Sequence, residues 1–425
     1  MYKMNSIPRA VIFVFLMALI EKNHAAVVNV KTKGAKGDGK SDDGPAIISA
    51  WKEACGGPPP SSVLFPAGTY FVAPPLHLKG PCKGPIEIKA TGATIKAPPE
   101  VAKFKTEGWI EIEGVDKLTL TGGNYDGQGQ ATWKSNNCAS TGVCKLPAVS
   151  TCVSLKLVNI SLISIFNYNN LICEFSSVLR ISNIRLTNCK NAVVKDLTST
   201  NSKFFHINIL GCDNAKLDHV TINAPGTSLN TDGIHIGRLN GLNITNTNIK
   251  TGDDCISFGD GSKNVHIEKV TCGPGHGISI GSLGRWPNEL PVQGIWIKNC
   301  TITGTNNGAR IKSWPDGTPG TASDMHFEDI IMENVGNPIL VDQEYCPSGK
   351  CKKGPSKTKL SNVTFRKIRG SSTTKVAVKL VCSPGTCNNF EVADINLQGP
   401  GGPATSECKN IKPKVVGKVV PPACP

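Results

Sequence analysis

The chain repeats itself. "NAVVKDLTST" begins at Asn191, "NAKLDHVTIN" at Asn214, "NGLNITNTNI" at Asn240 and "NVHIEKVTC" at Asn264, a nearly constant step. Looser echoes begin at Gly294, Asp324, Asn362 and Asn389. Each is a short alternating run rich in β-branched residues and bounded by Asn, Gly or Asp, the pattern of a strand between turns. No such run buries a core alone. Stacked neighbours have to supply one, which makes the chain a solenoid. The segments lack the helical apolar period of an α-solenoid, and the LxxLxL frame of leucine-rich repeats is absent. An all-β fold, the parallel β-helix, remains. Equivalent residues of successive coils then stack about 4.8 Å apart. The open end of such a solenoid needs a cap. "SDDGPAIISAWKEAC", residues 41–55, predicts an N-terminal capping helix. Asp42 or Asp43 stands at its start, Pro45 in its first turn, and Ile47, Ile48, Trp51 and Cys55 share one face.

Residues 1–25 predict a secretory signal peptide. Lys3 and Arg9 precede an apolar run from Val11 to Ile20, and Ala25 and Ala26 follow. So short an apolar run cannot span a bilayer. No second long apolar stretch follows, so no membrane partner is expected. Residues 26–425 read as a single β-helix domain. The segment 149–178 breaks the pattern: it is rich in aliphatics and lacks the Asn and Gly punctuation. It reads as an atypical insertion, or as non-coding sequence carried into the chain, and no function is assigned to it. Seventeen cysteines in an exported chain imply disulfides, with at least one thiol left over. Cys346–Cys351, Cys382–Cys387 and Cys408–Cys424 are the expected short bridges. Zinc is not expected, because no paired Cys and His spacing occurs. Sequons at Asn159, Asn243, Asn299 and Asn362 fit export with glycosylation. The formal net charge of +14 favours an anionic partner or serves solubility alone. No basic run or aromatic-interleaved motif points to nucleic acid.

Three aspartates stand out in this basic chain. Asp232 lies in "NTD", and Asp253 and Asp254 follow in "GDD". Taken singly, each is a turn residue by default. The step from Asp232 to Asp253 is close to one coil, however, and puts all three on one side of adjacent coils. Crowded carboxylates raise at least one pKa, and a protonated acid beside an ionised base is what glycoside hydrolysis needs. Consecutive strand residues face opposite ways, so Asp253 and Asp254 share the groove only at a strand end or a bulge. His276 follows in "GHG", one further coil step after Asp253. Its flanking glycines read as clearance for a polymer against the backbone. Arg310 and Lys312 in "RIK" share a strand face, and the pair suits a substrate carboxylate. Tyr345 in "DQEYC" lines the same groove or fills the core.

In this order, "NTD", "GDD", "GHG" and "RIK" resemble the polygalacturonases, glycoside hydrolase family 28. The resemblance covers the chain after the leader except for 149–178. It implies a right-handed β-helix, no cofactor and no metal. It also implies Asp253 as general acid, Asp232 and Asp254 as the pair that holds and activates water, and His276 as support for the acid. Arg310, Lys312, Tyr345 and Asn230 of "NTD" are the implied substrate-binding residues. The implied reaction is inverting hydrolysis of α-1,4-linked galacturonan, with acid and base about 6.5–9.5 Å apart. The stretches "AWKEAC", "LHLKGPCKGPIEIKA", "KLTLTGGNYDGQGQATWK" and "DQEYCPSGKC" further resemble pollen-type plant exopolygalacturonases. A secreted monomer in the cell wall, acting on de-esterified pectin, is the resulting expectation. Two alternatives remain at this stage. One is a lyase holding Ca²⁺ on the three carboxylates. The other is a wall-binding solenoid without turnover.

Overall fold

The structure, a computed structural model, describes residues 26–424 apart from 74, 102, 103, 105, 136–147, 153–172, 179 and 180. The expected signal peptide, residues 1–25, and most of the atypical 149–178 segment lie outside the described residues. The ends of that segment pair antiparallel as Ala148–Cys152 with Cys173–Val178, apart from the other sheets.

The chain winds as a right-handed parallel β-helix. One wall is an eleven-stranded parallel sheet, and a twenty-stranded sheet makes up the other sides. Inward residues form a single apolar column. In the eleven-stranded wall Ile207, Ile234, Ile256, Ile278, Ala309 and Ile339 are stacked in register, each at most 1% exposed. Burying such a stack removes aliphatic surface from water at about 25 cal/mol per Å².

The repeat-starting asparagines form the corners. Asn191, Asn214, Asn264, Asp324, Asn362 and Asn389 all have φ between 52° and 59°, a left-handed conformation that Asn and Asp tolerate best among non-glycine residues. Their side chains link coil to coil. Asn214 donates to Asn191, Asn264 to Asn240, Asn362 to Asp324 and Asn389 to Asn362. The sequence repeat is thus a ladder of corner amides.

The predicted cap is helix α1, Gly44–Gly56. It buries Ile47, Ala50, Trp51 and Ala54 against the first coil, and Trp51 Nε1 donates to the Lys79 carbonyl at 3.0 Å. Cys55–Cys82 fastens it there. Its N-cap residue, Asp43, makes no side-chain cap bond. That carboxylate is taken by the backbone N–H groups of Lys36 and Gly37, while Asp42 accepts from the Gly44 N–H. All three expected short disulfides are present, together with Cys255–Cys272. Among the described residues Cys189, Cys212 and Cys300 are buried free thiols.

Candidate active site

Four consecutive strands of the eleven-stranded wall build the site: β1 (Ile234–Gly237), β2 (Ile256–Phe258), β3 (Ile278–Leu283) and β4 (Asn307–Ser313). The residues alternating with the isoleucine stack face outward. In register they are His235, Ser257, Ser279 and Arg310. Asp232, Asp254 and His276 each stand two positions ahead of a stacked isoleucine, on the turn entering β1, β2 and β3. The coil equivalent of Asp232 is therefore Asp254. Asp253 is the counterpart of Thr231 and Gly275, the residues just before Asp232 and His276, and both aspartates reach the site because they precede β2 rather than lie within it.

Asp254 is held from all sides. Arg310 and Ser279 donate to Oδ1, Ser279 at 2.8 Å, and Lys312 Nζ donates to Oδ2 at 2.7 Å. Arg310 Nε in turn donates to Ser279 Oγ at 2.8 Å. Asp253 Oδ1 takes the Asp254 backbone N–H at 2.8 Å and lies 2.9 Å from His276 Nδ1. Asn230 Nδ2 donates to its Oδ2 at 3.2 Å. Asp232 Oδ2 accepts from Ser257 Oγ at 2.7 Å, and Ser257 lies 2.8 Å from His235 Nδ1. His235 is itself stacked on Phe205, with centroids 4.6 Å apart. The Tyr345 ring lies 5.2 Å from Lys312 Nζ and edge-on to Trp314.

Comparison with known proteins decides the family. The sequence profile of glycosyl hydrolases family 28 matches residues 55–188 and 180–420. The chain belongs to glycosyl hydrolase family 28. An exopolygalacturonase of Arabidopsis thaliana is 50% identical over 406 residues, covering 94% of this chain and 83% of that protein. An exopolygalacturonase of Platanus acerifolia is 47% identical over 405 residues, covering 94% and 98%. Among solved structures, an endo-xylogalacturonan hydrolase from Aspergillus tubingensis shares the fold at TM-score 0.70 and 23% identity, covering 91% of this chain and 96% of that one.

The electrostatics of this family 28 site divide its carboxylates. Burial opposes the charge of Asp254, but the Arg310 guanidinium and Lys312 ammonium outweigh it and hold the group below the usual carboxylate range. Asp232 moves the other way. Burial, then the charges of Asp253 and Asp254, push it well above that range. Asp253 has the more exposed side chain, 19% against 2% for Asp254. Asp253, Asp254 and His276 present ligand atoms within 4.8 Å of one another, a spacing a cation could use. The two cationic side chains on Asp254 already occupy both its oxygens, so that group is a poor metal ligand here.

All eight sequence-predicted residues converge on this one region. The structure adds Ser257, Ser279 and His235, which the sequence reading did not single out. Their signal was present in "IHI", "ISF" and "ISI": a polar residue between two inward apolar ones, at the coil step that leads to Arg310. One reading is corrected. The glycines beside His276 do not clear space for a polymer. A Cβ on Gly277 would lie 2.1 Å from the Asn307 carbonyl oxygen, and one on Gly275 would lie 2.7 Å from that of Asp253. They admit the neighbouring coil behind the histidine.

Proposed function

We propose that this chain is an exported exopolygalacturonase of the plant cell wall, a single β-helix domain behind a cleaved leader. It removes galacturonate from the ends of homogalacturonan with inversion. One observation carries the reading: three carboxylates share a site in which one is locked ionised by two cations and another is pushed toward protonation. No helix among the described residues is long and apolar enough to cross a membrane, and the net charge of +14 suits a polyanionic substrate. Exo action follows the named relatives.

Asp253, the most exposed of the cluster and backed by His276, protonates the glycosidic oxygen as the C1–O bond breaks. Water held by Asp232 and Asp254 attacks C1 from the opposite face and gives its proton to Asp232, because Arg310 and Lys312 keep Asp254 ionised. Arg310, Lys312, Tyr345 and Asn230 hold the galacturonate ring and its carboxylate. The upward push on Asp232 favours a second reading, in which Asp232 is the donor and Asp253 the base. An activated leaving group separates the two readings, because it needs no protonation. With Asp253 as acid, Asp253→Asn loses about 10²–10⁴-fold on polygalacturonate but keeps turnover of an aryl galacturonide with an acidic phenol. Asp232→Asn loses both. The reverse pattern assigns the acid to Asp232. Galacturonate monomer from the earliest times confirms exo action, and mixed oligomers refute it.

A further inference from the structure

The outer face of the twenty-stranded sheet carries a ring stack that the reaction does not use. Asn243, His266, Trp296 and His326 occupy one register row on four successive coils. The His266 and Trp296 rings lie 4.7 Å apart and 5° from parallel, and Trp296 and His326 lie 5.8 Å apart at 20°. His326 and Trp296 are half-buried and His266 is exposed. The stack therefore ends at His266, with one ring face turned toward the coil of Asn243. An open cleft of about 290 Å³ lies there, lined by Asn243, Thr245, His266, Glu268, Trp296 and Lys298.

Asn243-Ile244-Thr245 is a sequon. Asn243 is exposed, and its amide makes no side-chain hydrogen bond among the described residues. Asn362, another sequon residue, differs: its amide donates to Asp324 and accepts from Asn389 within the corner ladder. We infer that Asn243 carries an N-linked glycan whose first N-acetylglucosamine continues the ring stack on the open face of His266. Adjacent coils are about 4.8 Å apart, the spacing at which a pyranose ring packs against an aromatic face. Asn243 Nδ2 bonds to C1 of the sugar as the C1–O bond to a lipid pyrophosphate donor breaks. The amide proton leaves with the pyrophosphate. Lys298 and Glu268 at the cleft wall offer partners to the sugar's hydroxyl and acetamide groups.

The inference rests on passage through the secretory route, and the test separates the two. The full chain is expressed behind a heterologous leader in a eukaryotic host, so that it enters that route whatever its own leader does. Peptide mapping of the secreted protein is expected to find hexosamine-bearing mass on Asn243. Enzymatic removal of glycans is expected to shift the His266 ring proton resonances and to lower Tm. In His266→Ala, occupancy persists and the Tm loss on deglycosylation shrinks. Asn243→Gln abolishes both effects and leaves turnover of polygalacturonate unchanged. A bare Asn243 in the secreted protein overturns the inference. So does an occupied Asn243 whose glycan leaves the His266 resonances unmoved.

Discussion

Asp232 and Asp254 occupy equivalent places on adjacent coils and are driven in opposite directions by their neighbours. Asp254 has Arg310 and Lys312 against it. Asp232 accepts a hydrogen bond only from the Ser257 hydroxyl, feels Lys312 at longer range, and is 7% exposed. Its folded pKa lies above its unfolded one, so its favourable contribution is complete below the unfolded value. That contribution is lost as pH rises through the folded one. Asp232→Asn is therefore expected to unfold at a higher temperature than wild type at pH 7, with the gain fading as pH falls toward about 4. Thermal unfolding across that range checks it, and an equal Tm difference at both ends would contradict the assignment. The aspartates themselves were legible because their spacing matches the coil step. The opposed shifts were not, since they depend on which carboxylate the "RIK" cations reach, and only the register of β3 with β4 decides that.

Turns and strands divide the work at the next scale. Each functional carboxylate sits on a turn; Asp232 and Asp254 are fixed from strands, by Ser257, Ser279, Arg310 and Lys312, whereas Asp253 is held by Asn230 and His276 on turns of their own. The turns can be that tight only where side chains are absent. Gly277 has φ +85° and no room for a Cβ between the coils. Gly277→Ala is expected to cost at least about 2 kcal/mol, combining left-handed strain with overlap against a carbonyl. Both Tm and turnover should fall together. A variant with unchanged Tm and a raised KM would restore the substrate-clearance role. The corner asparagines were readable as repeat starts, because Asn and Asp announce left-handed turns. The inability of Asp43 to cap α1 was not, since its carboxylate is claimed by the backbone of an earlier loop.

For the molecule as a whole, periodicity carried the fold: short strands, a constant step and no helical period leave few alternatives to a β-helix. What periodicity does not show is where the coils lengthen. Ile256 pairs with Ile278 across a short coil, whereas Ile339 pairs with the far more distant Val378, because the loop holding Tyr345 and Cys346–Cys351 intervenes. The site is a property of the stack, since no single coil contains both a carboxylate and its counter-charge. The most direct measurement is time-resolved proton NMR of polygalacturonate during digestion, read with absorbance in the ultraviolet. Galacturonate released first as the β-anomer, relaxing later to the equilibrium mixture without new absorbance, is the predicted result. An α-anomer appearing first, or unsaturated products that vanish on chelation of calcium, would contradict inverting hydrolysis by this carboxylate cluster.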